Sequence, residues 1–347
     1  MFEKSFITDC EGPLTLNDNA FELCNHFIEH GGELFKILSL YDDYLSEVVI
    51  KEGYASGNTL KLILPFFVVE NVNNEDFIDF SKNNISAVSD SKYLLDYVKK
   101  AMNTYIVSTS YGQYIEALSD YMDFPFKNTY YTKVDMDALS LSNEESSKIR
   151  DFKKEILENP GDYKLFDEIF FEEIPKMDIY ETIKEIDIVG GLGKTLAIEN
   201  IIIKDSIDAG QILYVGDSIT DMEPLRFARS NDGIAISFNG NKYPLEVAEI
   251  AIISPSAIAT TVIADIYKNH DKNTVFKFIK EYNSSKDILG LFDGYSINSS
   301  IKEKFFERFK VHYPTIKLIN EDNFDEILNE SVNMRNNIRG EDIGGLG

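Results

Sequence analysis

Short apolar runs that stop abruptly on polar or acidic residues punctuate this chain. Lys4 to Thr8 leads into FIT and stops at Asp9. Thr104–Val107 (TYIV) ends on Ser108, and Ile212–Val215 (ILYV) ends in Gly216-Asp217. Gly233–Phe238 and Ala251–Ile253 are of the same kind. Runs of this length, bounded by turn residues, predict buried strands. Between them the apolar period becomes helical. Phe21, Leu23, Cys24 and Phe27, then Leu34, Phe35, Leu38 and Leu40, then Tyr44, Leu45 and Val48 follow one another at helical spacing, with Asn17 and Asp18 as caps. Leu60–Val69, residues 91–102 and Glu223–Arg229 predict further helices, and the acidic stretch 144–187 predicts helices and loops. From about Tyr267 the chain reads as a helical appendage, and Arg339 to Gly347 reads as flexible.

The spacing of the strands sets the domain plan. A βαβ step takes roughly 30 residues, yet Asp9 and Ser108 lie 99 positions apart. The excess predicts a lid over the strand ends. The expected architecture is α/β: a doubly wound, Rossmann-like parallel sheet core with a helical cap insertion and a helical C-terminal appendage. The core takes residues 1–15, 89–111 and 188–265, and the cap takes 16–88. Residues 112–187 form a second insertion that packs partly on the core, and 266–347 form the appendage. The cap should carry a small core of its own, from residues such as Phe21, Phe27, Leu38, Leu62 and Phe66. Deleting it should then spare the sheet.

Charge narrows the partners. The formal net charge is −25, with no Lys/Arg cluster, which argues against nucleic acid and anionic lipid. An anionic phosphate substrate would need a local cation, either a metal or a placed Lys. The two cysteines, Cys10 and Cys24, imply no disulfide framework and fit a reducing cytoplasm. The opening MFEKSFITDCEGP lacks the apolar stretch of a signal peptide. The apolar run Leu62–Val69 is too short to span a bilayer. A cytoplasmic protein without membrane insertion is expected.

Four sequence elements carry chemistry. In Asp9-Cys10-Glu11-Gly12, two carboxylates sit two residues apart just past a buried strand, where a doubly wound sheet binds its ligands. Asp9 can attack phosphorus, Glu11 can act as acid and base, and Gly12 lets the backbone turn beside a phosphate. Asp217 and Asp221, in Gly216-Asp-Ser-Ile-Thr-Asp221, offer hard oxygens suited to Mg2+; the bland alternative is an acidic helix start. Ser108 and Thr109 end a strand with hydroxyls that can meet phosphoryl oxygens or simply make a turn. Lys194 follows the glycines of Gly190-Gly-Leu-Gly193, but Ile188 stands where a P-loop needs glycine. The lysine is better read as neutralising an anionic site. His26 and His30 lie four apart on an expected helix, without the Glu of HExxH or a third ligand, and read as a helix-surface pair. Cys10 reads as packing.

The order Asp-x-Glu, Ser/Thr, Lys, Gly-Asp-x-x-x-Asp resembles the haloacid-dehalogenase-like hydrolase superfamily over segments 4–15, 92–111 and 190–254. Gly233–Gly240 (GIAISFNG) is similar to the phosphoserine-phosphatase-like branch. The chain departs from the usual pattern at Glu11, where Asp is common, and at Pro13, where Thr is common. The resemblance implies a small phosphorylated metabolite hydrolysed through an aspartyl-phosphate. Asp9 and Glu11 would be catalytic, and Gly12, Ser108, Thr109 and Lys194 would hold the substrate. Asp9, Glu11, Asp217 and Asp221 would hold Mg2+. At a finer level, DCEGPLTLNDNAFE and RGEDIGGLG resemble archaeal proteins named as subunit R of energy-converting hydrogenase A. That resemblance implies peripheral association with a hydrogenase complex and, as an alternative function, an accessory subunit with little or no catalysis.

Overall fold

The structure, a computed structural model, describes residues 3–346. Residues 1–2 of the expected core and 347 of the expected appendage lie outside the described residues. Seven strands, β1 (Ser5–Thr8), β2 (Asn103–Tyr111), β3 (Thr129–Thr132), β4 (Ile212–Gly216), β5 (Ile234–Phe238), β6 (Ile250–Ile253) and β7 (Thr315–Leu318), form one sheet. Their order is β3-β2-β1-β4-β5-β6-β7. All neighbours are parallel except β6 and β7.

The strand sequences explain this arrangement. β1, β4, β5 and β6 are buried at every position, as a parallel sheet covered on both faces requires. Alternate side chains enter opposite layers. Phe6, Leu213 and Val215 pack with Leu95, Val98, Ile258 and Val262 of the helices Ser91–Ala101 and Ile258–Asn269. Ile7, Ile212 and Tyr214 pack with Ile198, Ile201 and Leu225 of the helices Leu192–Asp205 and Met222–Ser230. β1 is the pivot, with β2 on one side and β4 on the other. The winding direction therefore reverses at β1, and the crevice this opens at its carboxyl end is where doubly wound sheets place ligands.

Several expectations change on this fold. β2 does not stop at Ser108 but runs on to Tyr111. The pairing with β3 is irregular between Val107 and Tyr111 and resumes at Tyr111, so Ser108, Thr109 and Ser110 sit in that interruption and line the crevice. Residues 112–132 belong to the sheet, through the helix Gly112–Met122 and β3. The appendage contributes an antiparallel edge strand, β7, along with its helices. His30 adopts a left-handed conformation between two helices, so His26 and His30 do not share one.

The cap differs most. Phe21, Leu38, Leu62 and Phe66 form one apolar cluster with Ile149, Ile156, Phe166 and Phe170, and Phe27 packs against it. Tyr41 meets Phe166 edge-on, with ring centroids 5.3 Å apart, and donates a hydrogen bond to Asp167 at 2.6 Å. The lid is thus one body made from two stretches of chain, and its core is shared. Replacing 16–88 with a short Gly/Ser linker should strip the partners from Ile149, Ile156 and Phe166. We expect a product that binds a hydrophobic dye and melts without a sharp transition. A cooperative melt with no dye binding would show that the second stretch folds unaided.

Candidate active site

Asp9 is the first residue past β1. Its backbone N–H donates to Val215 O at 2.8 Å, which continues the ladder with β4 and delivers the side chain to the crevice. Asp9 Oδ1 accepts from Cys10 N–H at 2.6 Å. Cys10 itself is fully buried in the sheet's core. The loop then turns at Gly12, whose φ is +95° and whose Cβ, if present, would lie 2.1 Å from Asp217 Cγ. Only glycine allows both that conformation and that approach.

Lys194 stands in the first turn of the helix Leu192–Asp205. Gly191, at φ +49°, starts the helix, and its N–H donates to Thr220 O at 3.0 Å. The ammonium is wholly buried and donates to Asp9 Oδ2 at 2.6 Å and Asp221 Oδ1 at 2.7 Å. Asp221 also accepts from the Tyr214 hydroxyl at 2.7 Å and from the Asp217 and Ser218 amides at 2.9 and 3.1 Å. The two carboxylates share Lys194 unequally. Burial acts against both, yet Lys194, Tyr214 and the amides hold Asp221 below its ordinary value. Asp9 has fewer donors, and burial pushes it up to about 7 against the pull of Lys194. Burial also opposes the charge on Lys194, but Asp221 and Asp9 outweigh it and raise its pKa.

Glu11 faces the same cavity. One of its oxygens accepts from Asn19 N–H at 2.7 Å. Burial, followed by the nearby Asp18, pushes its carboxyl well above the usual range, which favours a proton-carrying form. Ser108 Oγ donates to Ser110 Oγ at 3.1 Å. Thr109 Oγ1 is buried without a hydrogen-bond partner. Asp9, Glu11, Thr109 and Asp217 line one cavity of about 100 Å³.

Two residues that sequence reasoning did not single out complete the lining, Arg335 and Arg339. Both project from the helix Phe324–Arg339 onto Asp217 Oδ2, Arg335 in a very short contact and Arg339 at 3.0 Å. Two arginines four apart, in a chain with only six, were the available signal.

Asp9, Asp217 and Asp221 can each bring one carboxylate oxygen within 4.8 Å of the others, all buried. Hard oxygens so grouped suit Mg2+. Both oxygens of Asp221 are taken by Lys194, Tyr214 and amides. Asp217 Oδ1 accepts no hydrogen bond among the described residues, which leaves Asp9 and Asp217 as the carboxylates with capacity to spare. The Glu11 carboxylate lies outside this group.

A solved structure matches the chain almost end to end. It is gene product AF1437 from Archaeoglobus fulgidus, with a TM-score of 0.84 and 27% identity over 99% of each chain. The doubly wound core with helical insertions and C-terminal helices is therefore a fold shared along the whole chain. A phospho-aspartyl intermediate analogue of phosphoserine phosphatase is similar at a TM-score of 0.47 and 12% identity, over 72% of this chain and 93% of that one. An apo phosphoserine phosphatase is similar at 0.46 and 12%, over 73% and 95%. No protein-family model and no curated protein matches the sequence. Among the described residues no helix is long and apolar enough to cross a membrane.

Proposed function

We propose that this protein is a Mg2+-dependent, haloacid-dehalogenase-like hydrolase of a small phosphomonoester. The observation that carries the reading is Lys194, buried and 2.6 Å from Asp9 at the end of the pivot strand. A buried ammonium aimed at a carboxylate in the ligand crevice holds that carboxylate in one orientation, as a nucleophile requires.

In this reading an Asp9 oxygen attacks phosphorus while the bond from phosphorus to the leaving oxygen breaks. Glu11, whose raised pKa keeps a proton on it, gives that proton to the leaving oxygen. The resulting Glu11 carboxylate then takes a proton from water. The water oxygen attacks the phosphorus of the aspartyl-phosphate, releasing phosphate and restoring Asp9. Thr109 Oγ1, unpartnered at the cavity wall, is available to a phosphoryl oxygen. Ser108 would hold a second by turning its hydroxyl away from Ser110 Oγ, to which it donates here. Mg2+, held by Asp9 and Asp217 with the backbone carbonyl of Glu11, would supply charge neutralisation to the phosphoryl group. The cap covers this crevice and would exclude water while the intermediate exists.

The test is phosphate release from a generic aryl phosphate with and without Mg2+. Turnover that appears with Mg2+ and vanishes with chelator is expected. No release across a broad panel of phosphomonoesters, from folded protein in Mg2+, would overturn the reading.

A further inference from the structure

The cations at the cavity are all engaged. Asp9, Asp217 and Asp221 are ion-paired with Lys194, Arg335 and Arg339, while Glu11, Asp18, Asp42 and Asp43 also line the cavity without an ion pair among the described residues. Lys194 is committed to Asp9 and Asp221, which leaves Asp217 to the two guanidiniums. Both are nearly sealed from solvent, with side chains 3% and 5% exposed.

Their remaining donors fix the surrounding backbone. Arg335 Nε donates to Gly344 O at 2.9 Å and Nη2 to Leu346 O at 3.1 Å. Arg339 donates to Leu16 O at 3.1 Å and Asn17 O at 2.6 Å, where the chain leaves the core for the cap. The tail beyond is anchored as well, against the expectation of flexibility. Ile343 and Leu346 pack against the cap's apolar cluster, and Asp342 pairs with Lys36 of the cap at 2.5 Å. The helix Phe324–Arg339 therefore ties Asp217, the cap's entry and the tail into one contact.

We propose that Arg335 and Arg339 are positioning residues that serve as the resident counter-charge of Asp217, so that a divalent cation enters in competition with them and loosens the tail as it binds. This rests on Asp217 as a metal-holding residue in the reading above. Two guanidiniums on Oδ2 orient the carboxylate and leave Oδ1 without a hydrogen bond among the described residues. A supporting partner of this kind ordinarily raises a ligand's hold on metal. Here the partners are cations close to where a divalent ion would sit, in a buried site where like charges are poorly screened. Repulsion outweighs orientation, and the arginines lower metal affinity.

The experiment measures Mn2+ binding to the full chain by electron paramagnetic resonance, with hydrogen exchange read over residues 340–346. R335Q/R339Q should bind Mn2+ at least tenfold more tightly than the wild type, and Arg339→Lys, which keeps the charge, should stay close to the wild type. Saturating Mn2+ should speed exchange in the wild-type tail. Equal or weaker Mn2+ binding by R335Q/R339Q, or a tail that exchanges more slowly with Mn2+, overturns the proposal. If the double variant does not fold, Arg339→Gln alone decides, since it leaves the Arg335 bonds to the tail in place; it should also bind more tightly than the wild type. A retained affinity shift in a protein with no turnover on any phosphate removes the hydrolase reading and supports the competition. Intact turnover without the shift does the reverse.

Discussion

Asp9→Asn is expected to reduce phosphate release by about a thousandfold or more while the chain stays folded. The amide is nearly isosteric with the carboxylate but is not a nucleophile toward phosphorus. Its structural cost is bounded by the two donors that face Asp9. Cys10 N–H lies at one oxygen and the Lys194 ammonium at the other. Whichever way the amide turns, its NH2 opposes one of them, a mismatch of about 1–3 kcal/mol. A melting point lower by a few degrees, with native circular dichroism and no turnover, is the expected picture. Wild-type rates in the pure variant would exclude Asp9 as the attacking group.

Lys194→Ala should damage both activity and stability. It removes the one cation between two buried carboxylates 2.6 and 2.7 Å away. Breaking a buried pair by deleting one partner costs about 3–5 kcal/mol, because the remaining charge is left uncompensated. Loss of an electrostatic donor at the reacting group costs about 3–4 kcal/mol in rate. The stability loss should also depend on pH, with a definite sign. Without the lysine, Asp9 and Asp221 have folded-state pKa values above their unfolded ones. Such groups hold protons more tightly when folded, so stability falls as pH rises above the ordinary carboxylate range. The deficit relative to the wild type should therefore be large at pH 8 and narrow toward pH 5. Denaturant melts at both values measure it. A deficit equal at the two would mean that these carboxylates are compensated from elsewhere.

The parts of the fold legible in the sequence were those where burial leaves a dense apolar signature. β1, β4, β5 and β6 are covered on both faces, so FIT, ILYV, IAISF and IAII stand out against any background. β3 (TYYT) and β7 (TIKL) are four residues long and only partly buried at the sheet margins; Thr, Tyr and Ile favour strands, but over so few residues and without an apolar run the preference does not stand out. The carboxylates and lysine of the site were legible because each follows a strand end or a glycine turn at short range. The arginines were not, because they sit on a polar helix 118 and 122 positions from Asp217, and pairing at that distance leaves no periodic trace. The cap shows the same limit. Helical spacing in 19–83 revealed an apolar face, but not that its partner lies in 136–183.

That divided cap has a bearing on how the chain is made. Synthesis runs from the N-terminus, so Phe21, Phe35, Phe66, Phe67 and Phe77 emerge well before Phe166, Phe170 and Ile183, with which they cluster. At ribosomal speeds the interval is roughly 5–20 s, far longer than the microseconds in which apolar chains collapse. Closing the long loop adds little to the final free energy, since that term grows only with the logarithm of length. The burden is one of timing. For those seconds the nascent chain displays half of a hydrophobic interior, a surface suited to a holding chaperone.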